Sequence, residues 1–273
     1  MQPASWARQV LPGENGGLLM KRNSRNGLSK TGNVPCARCP LRKKDVIRPF
    51  TAKELEFVEW FKTAELVADP GASILLQGHN SPHLYTVLEG WAFRYKTLSD
   101  ARRQILSFAL PGDFLGLQGP ALKEMQHSVE ALTQVKLCVF PRERLWHLYQ
   151  KHPELGHDIA WLAARGEHMV DEHLLSVGRR SAAERIGYLL LHLHNRGKAL
   201  ELCSGRQMKI PLTQQHVADA LGLSLVHTNK TLRRLIRNGF LNWTGDTVEI
   251  RNEKALREFS KYDETDSEIR PLI

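Results

Sequence analysis

The side chains best equipped for chemistry lie in two stretches. The first is Cys36-Ala-Arg-Cys39-Pro-Leu-Arg-Lys-Lys-Asp45. Two thiolates at this spacing can converge on one metal ion or one edge of a cluster. A tetrahedral zinc site needs four ligands, and no second Cys-x-x-Cys or His-x-x-x-His supplies the rest. The neighbouring lysines and arginines would lower the thiol pKa values, so a redox-active pair is also open. The second stretch is 213–237, two short amphipathic segments joined at Gly222. Its second half presents Val226, Asn229, Lys230, Arg233 and Arg237 on one side, with His227 and Arg234 on the flanks. Arg and Lys reach phosphates or guanine, and Asn can pair with adenine, so such a face suits a DNA major groove.

These groups need elements to hold them. Thr213 and Ser224 are placed to cap two helices, because a hydroxyl there accepts from an otherwise orphan backbone N–H. Val217, Ala218 and Leu221 fall on one face of the first helix, and Leu225, Leu232, Leu235 and Ile236 on the inner face of the second. Thr213, Gln214, Gln215, Ser224, Val226, His227, Asn229, Lys230, Arg233 and Arg234 form the candidate DNA-contacting set. Asn238-Gly239 ends the second helix, and Phe240–Trp243 and Thr247–Ile250 read as a hairpin about Thr244-Gly245-Asp246.

Upstream, residues 1–35 are rich in Gly, Asn, Ser and Arg without periodicity, as expected of a disordered basic arm. Thr51 and Glu54 form a capping box before a short helix to Phe61, with Leu55, Val58 and Phe61 inward. From Glu65 to Phe140 short apolar segments alternate with turns at Gly71, Gly78, Glu89-Gly90, Ser99-Asp100 and Pro111-Gly-Asp113. Leu84–Leu88, Ala92–Tyr95, Gln104–Ala109 and Val135–Phe140 are the clearest strands of an all-β sandwich or jelly-roll barrel. Pro153 opens a long helix in which Leu155, Ile159, Leu162, Gly166, Met169, His173 and Val177 recur every three or four residues. That narrow stripe suits a helix–helix seam, most economically in a symmetric dimer. Gly178-Arg-Arg-Ser181 reads as a hinge, and Ala182–His194 as a further amphipathic helix. The expected division is a barrel with its cysteine segment over 36–150, a dimerisation helix and hinge over 151–180, a winged helix-turn-helix over 181–260, and a frayed tail over 261–273.

Composition sets outer bounds. The chain has 273 residues and a formal net charge of +9, which favours a polyanionic partner. No apolar run approaches the ~18–20 residues of a membrane span, and the N-terminus lacks the apolar core of a signal peptide. Four cysteines in a chain of this length do not make a disulfide scaffold, so a cytoplasmic protein is expected. His168 and His173, five apart, do not align on one helical face. No nucleophile–base pair or phosphate-cradling glycine loop is visible, so a jelly-roll enzyme is the distant alternative.

An α+β chain with an N-terminal jelly-roll barrel of the cyclic-nucleotide-binding kind, a long helix and a winged helix-turn-helix resembles the cyclic-AMP receptor / fumarate-nitrate-reduction regulator (CRP/FNR) superfamily. The resemblance rests on Leu84-Tyr-Thr-Val-Leu-Glu-Gly90, Pro111-Gly-Asp-Phe-Leu-Gly116, Leu137-Cys-Val-Phe-Pro141 and Leu212–Ser224. It implies a homodimeric transcription regulator on a palindromic promoter site, acting on RNA polymerase. Cyclic-AMP receptors carry Gly-Glu-Leu and then Arg-Ser. This chain has Gly116-Leu117-Gln118, and no arginine near Met125-Gln-His-Ser128. A buried phosphate without a cation is costly, so cyclic AMP is not expected. Resemblance to the FNR branch implies an iron–sulfur cluster, for which Cys36, Cys39 and Cys138 match three of four ligands. The third N-terminal cysteine is missing, and Asp45 is the nearest oxygen donor. Thiol redox sensing, a small-molecule effector in the barrel, and purely structural cysteines are the other readings. The FNR type also presents Glu-x-x-Ser-Arg on its reading helix where this chain has Val226, Asn229 and Lys230, so a different half-site is expected.

Overall fold

The computed structural model describes residues 27–263 and 269–273, so most of the expected basic arm lies outside the described residues. Helix α1 (Ala52–Phe61) begins at the capping box foreseen from Thr51 and Glu54, both halves of which are made. It buries Phe57, Val58 and Phe61, while Leu55 is only partly covered.

The barrel strands are β1 (Leu28–Thr31), β2 (Ala64–Ala68), β3 (Ser73–Leu75), β4 (His83–Glu89), β5 (Ala92–Thr97), β6 (Arg103–Ala109), β7 (Phe114–Leu115), β8 (Ser128–Ala131) and β9 (Val135–Pro141). They form two sheets, ordered β1-β2-β9-β4-β7 and β3-β8-β5-β6, with antiparallel pairing throughout. Strand β1 lies inside the stretch expected to be disordered, because Leu28–Thr31 extends the first sheet along β2. Alternation along each strand divides the side chains. Val87, Ala92, Val129, Leu137 and Val139 fill the lumen, and Leu84, Phe93, Cys138 and Phe140 face the helices outside.

Helix α2 (Gln118–Leu122) lies in the barrel's last long loop, and α3 (Leu145–Lys151) leads to α4 (Pro153–Arg179). The stripe on α4 expected to form a dimer seam is packed on its own chain at both ends, while Leu162, Gly166 and Met169 between them stay half-covered. Leu155 and Ile159 are buried in the core, His173 approaches Gln104 at 3.4 Å, and Val177 lies under Gly222. A helical stripe fixes which face is apolar and not what covers it. The apolar side chains that α4 leaves open are Val170, Leu174 and Leu175.

The expected hinge is clamped. Chain direction changes at Arg180, and Ser181 caps α5 (Ala182–Ala199) with Glu184 completing the box. Arg180 donates to Ser176 Oγ at 2.8 Å and to the Lys261 carbonyl at 3.1 Å, and lies 4.0 Å over the Tyr188 ring.

The C-terminal half continues with β10 (Cys203–Ser204), β11 (Gln207–Lys209), α6 (Gln214–Leu221), α7 (Leu225–Arg237), β12 (Leu241–Thr244), β13 (Thr247–Ile250) and α8 (Glu253–Ser260). Its sheet runs β10-β11-β13-β12. Strands β10 and β11 and helix α8 extend the sequence reading.

The expected frayed tail is corrected at its end. Arg270 exchanges backbone hydrogen bonds with Val46 and Arg48, Leu272 and Ile273 are buried, and the Ile273 carbonyl accepts from Thr86 Oγ1. Three apolar residues at the terminus gain more by burial against the barrel than they lose by ordering.

Candidate nucleic-acid interface

Thr213 Oγ1 accepts from the His216 N–H at 3.2 Å, and the His216 ring takes the second half of the capping box. Gly222 adopts φ +64°, a left-handed turn that L side chains rarely adopt, and ends α6. Ser224 Oγ then accepts from the His227 N–H at 3.2 Å and starts α7. Val217, Ala218 and Leu221 are buried under α6, as expected. The inner face of α7 differs from expectation: Thr228, Thr231, Leu232 and Leu235 are buried, whereas Leu225 is 45% exposed. Leu225 stands directly after the cap, before the helix meets α6.

The outward face of α7 is open. Ser224, Val226, His227, Lys230, Arg233 and Arg234 are exposed, Asn229 is partly covered, and Val226 reaches 80% exposure. None of the three cations makes an ion pair among the described residues. At the start of α6, Thr213 and Gln215 are exposed and Gln214 is partly so. Gln215 is turned sideways, donating to Asp219 at 2.6 Å. A groove runs from Thr213 and Gln214 past Asn229 and Arg233 to Trp243 and Gly245 of the hairpin. Trp243 was not among the sequence candidates; its indole N–H donates to the Gly245 carbonyl at 3.0 Å and so shapes the wing's tip.

The cysteine segment is built otherwise. Cys36 and Cys138 are buried, and Cys138 sits in the ladder between Glu65 and Thr86. Glu65 is fully buried and is held by Lys62 at 2.6 Å, Lys136 at 2.9 Å and the Val34 N–H at 2.9 Å. Burial pushes the Cys138 thiol up to about 12 and also raises Cys36, although the Lys62 ammonium pulls both down. Cys39 is near enough to act electrostatically on both. Asp45 does not join them. It is exposed on the turn after Lys43, whereas Val46 and Ile47 turn inward. Among the described residues no three His, Cys, Asp or Glu side chains converge to hold a metal ion. Two thiols, Cys36 and Cys138, whose pKa values burial raises, with the oxygen donor turned away, do not fit a cluster that needs four anionic ligands.

In the barrel, His127 lies just before β8, in the stretch 125–128 that carries no arginine. The sequence showed no cation near it, but the fold brings one from the neighbouring strand. Arg94 Nε donates to His127 Nε2 at 3.1 Å.

A two-sheet barrel joined by one long helix to a winged helix-turn-helix with an open cationic reading face defines a DNA-binding transcription regulator. Residues 65–152 match the cyclic nucleotide-binding domain family, and residues 184–259 the Crp-like helix-turn-helix domain. The chain is 33% identical to the nitrogen fixation regulation protein FixK of Bradyrhizobium diazoefficiens over 75% of its own length and 84% of that protein. It is 29% identical to the transcriptional activator protein FnrL of Cereibacter sphaeroides, over 77% and 85% of the two chains. The solved structure of FixK2 from Bradyrhizobium japonicum superposes with a TM-score of 0.65 at 27% identity, covering 71% of this chain and 96% of that one. The chain belongs to the CRP/FNR superfamily of transcription regulators and lies on its FNR side. No helix among the described residues is long and apolar enough to cross a membrane.

Proposed function

We propose that the protein acts as a homodimer that sets α7 of each subunit into the major groove of a palindromic promoter site. The observation that carries this reading is the open face of α7, with Asn229, Lys230 and Arg233 beside the groove that leads to the wing. Val170, Leu174 and Leu175 on α4 give a second copy an apolar face to cover. Residues 28–151 then serve as the sensor and residues 181–262 as the DNA reader. Contact with RNA polymerase follows as a proposal from family membership. Val226 accepts no hydrogen bond from cytosine and Lys230 lacks the bidentate fork of arginine, so the half-site differs from that of the FNR type.

The test is a gel shift across a salt series with DNA selected from a random pool. Lys230→Ala and Arg233→Ala should each weaken binding about tenfold or more, with a loss of roughly one unit of salt slope where a phosphate contact is removed. Unchanged affinity in both variants would remove the reading-helix assignment.

A second reading concerns the signal. Cys36, Cys39 and Cys138 lie close enough to influence one another, with Lys62 beside them. Burial that raises the Cys36 and Cys138 pKa values opposes their attack on an oxidant, so a dithiol response would start at the less buried Cys39. Two thiols would form a disulfide, losing two protons and passing two electrons to an oxidant such as a peroxide. Thiol counting and gel shifts before and after peroxide treatment test it. Three unreacted thiols with unaltered DNA binding would leave the cysteines structural.

A further inference from the structure

The chain beyond α8 leaves the DNA reader and ends as a short peptide seated in a groove of the barrel. It is fixed first to the reader. Tyr262 is buried against the Tyr188 ring at 4.9 Å, and its hydroxyl accepts from Asn195 Nδ2 at 3.2 Å. By Arg270 the chain has crossed to the barrel side. The Arg270 N–H donates to the Val46 carbonyl and the Arg48 N–H donates to the Arg270 carbonyl, both at 2.8 Å. Ile47 and Arg270 thereby form a parallel bridge. This is strand addition at its shortest, in which main-chain bonds hold a peptide and pockets sort its side chains. The Arg270 guanidinium adds charge, for Nη2 donates to the Gly112 carbonyl and to Asp113 Oδ1, each at 2.9 Å. Pro271, Leu272 and Ile273 are buried, and the Ile273 carbonyl accepts from Thr86 Oγ1 of β4. Ile269 is 66% exposed, so the seat begins at Arg270.

The seat shares its acid with the reader. Asp113 also accepts from Arg196 of α5 at 2.6 and 2.8 Å, so one carboxylate holds both the peptide and the first helix of the reader. Residues 270–273 form no helix or strand of their own. Two main-chain bonds, one hydroxyl bond, a shared ion pair and three buried side chains hold them. A segment held by so short a set of contacts opens at less cost than the barrel beneath it. We propose that residues 269–273 are a releasable strap, seated in a peptide-binding groove between residues 46–48, Thr86 and Asp113, that fixes the DNA reader to the barrel. The groove takes an extended peptide in which an arginine precedes buried aliphatic residues. While the strap is seated the reader has fewer arrangements open to it. A reader freed from the strap must be ordered again on DNA, and that ordering opposes binding.

The test compares the full chain with a chain lacking residues 269–273. The probe is the free peptide Ile-Arg-Pro-Leu-Ile carrying a fluorophore at its amino end, followed by anisotropy. The shortened chain should bind it saturably. The full chain should bind it at least about tenfold more weakly, because its own tethered segment fills the groove at high effective concentration. Arg270→Ala in the peptide should weaken binding to the shortened chain by about tenfold. Absence of saturable binding, equal binding to both chains, or an Arg270→Ala peptide that binds as well overturns the inference. Should the shortened chain fail to fold, hydrogen exchange of the Arg48 and Arg270 amides in wild type decides. Exchange through an opening cheaper than that of the β9 amides supports the strap, and exchange only by global unfolding refutes it. The effect on DNA rests on the α7 reading proposed above and has its own readout. In a gel shift the shortened chain should bind the selected site about threefold to tenfold more weakly, with part of the loss recovered on adding the peptide. Unchanged DNA affinity would overturn the strap's hold on the reader and leave the α7 assignment standing. A wild type that binds no DNA would overturn the α7 assignment, while peptide binding and exchange still decide the strap.

Discussion

Replacing Asp113 by asparagine should loosen the junction of three distant parts of the chain. The carboxylate ends the turn after β6, where it accepts from the Leu110 N–H at 2.9 Å. Arg196 of α5 reaches it at 2.6 and 2.8 Å, and Arg270 of the C-terminal segment at 2.9 Å. Burial opposes its ionisation, but the two guanidiniums outweigh burial and hold the carboxyl at about 2, below its ordinary 3.8. At about 1.4 kcal/mol per pKa unit, the charged form stabilises the fold by roughly 2–3 kcal/mol. Because the folded value is the depressed one, this stability is fully present above the unfolded pKa near 3.8 and is lost as pH falls from there through about 2. Asp113→Asn also leaves Arg196 and Arg270, 11% and 15% exposed, without their anion. Breaking a buried pair costs ~3–5 kcal/mol, and partial exposure places this one at about 3. Urea unfolding at pH 7 should show that gap between wild type and variant, and the gap should narrow between pH 5 and pH 3. A gap below about 0.5 kcal/mol at pH 7, or one that does not change with pH, would refute this assignment of Asp113.

Two glycines make contrasting predictions. In Gly222→Ala the new Cβ meets nothing nearer than Val177 Cγ1 at 3.8 Å, so only the strain of φ +64° remains, about 1–2 kcal/mol in urea unfolding. In Gly90→Ala the Cβ would lie 2.1 Å from the Gln134 carbonyl oxygen, and a loss above ~4 kcal/mol or failure to express folded protein is expected. Arg180→Lys keeps the charge but loses the planar stack over Tyr188 and the fork between Ser176 and Lys261. A lower thermal midpoint, equivalent to about 1–3 kcal/mol, is the expected readout.

The local signals were legible. Thr51, Thr213 and Ser224 mark helix starts because a cap involves only the next three residues, and Gly245-Asp246 marks the wing because a hairpin register follows from its turn. What escaped depends on partners far along the chain. Asp113 reads as an ordinary Pro-Gly-Asp turn until Arg196 and Arg270 arrive, 83 and 157 residues later. His127 is a lone histidine until β5 pairs with β8 and brings Arg94 beside it. The α4 stripe was visible, yet its cover was not, since a helical stripe fixes which face is apolar and not what packs on it. Pro271-Leu272-Ile273 is too short for periodicity to reveal, although its composition alone would have justified burial.

The same long-range pairing determines how the barrel and the DNA reader are connected. Arg103 at the start of β6 donates to Asp219 of α6 at 2.9 and 3.1 Å, and Gln104 donates to the Ala220 carbonyl at 2.8 Å. The Arg103–Asp219 pair, 27% and 15% exposed, would alone contribute about 1 kcal/mol or less. It does not act alone. The Arg103 guanidinium also lies 5.0 Å from the Phe93 ring and 5.6 Å from Tyr95, and Phe93 is 5.6 Å from His216. These contacts set the position of α6, and α7 packs directly on α6 through Leu232 and Leu235. Phe93 and Tyr95 are the neighbours of Arg94 on β5, one on each side, facing out where Arg94 faces in. A ligand can shift the reader only by interacting differently with two arrangements of these bonds.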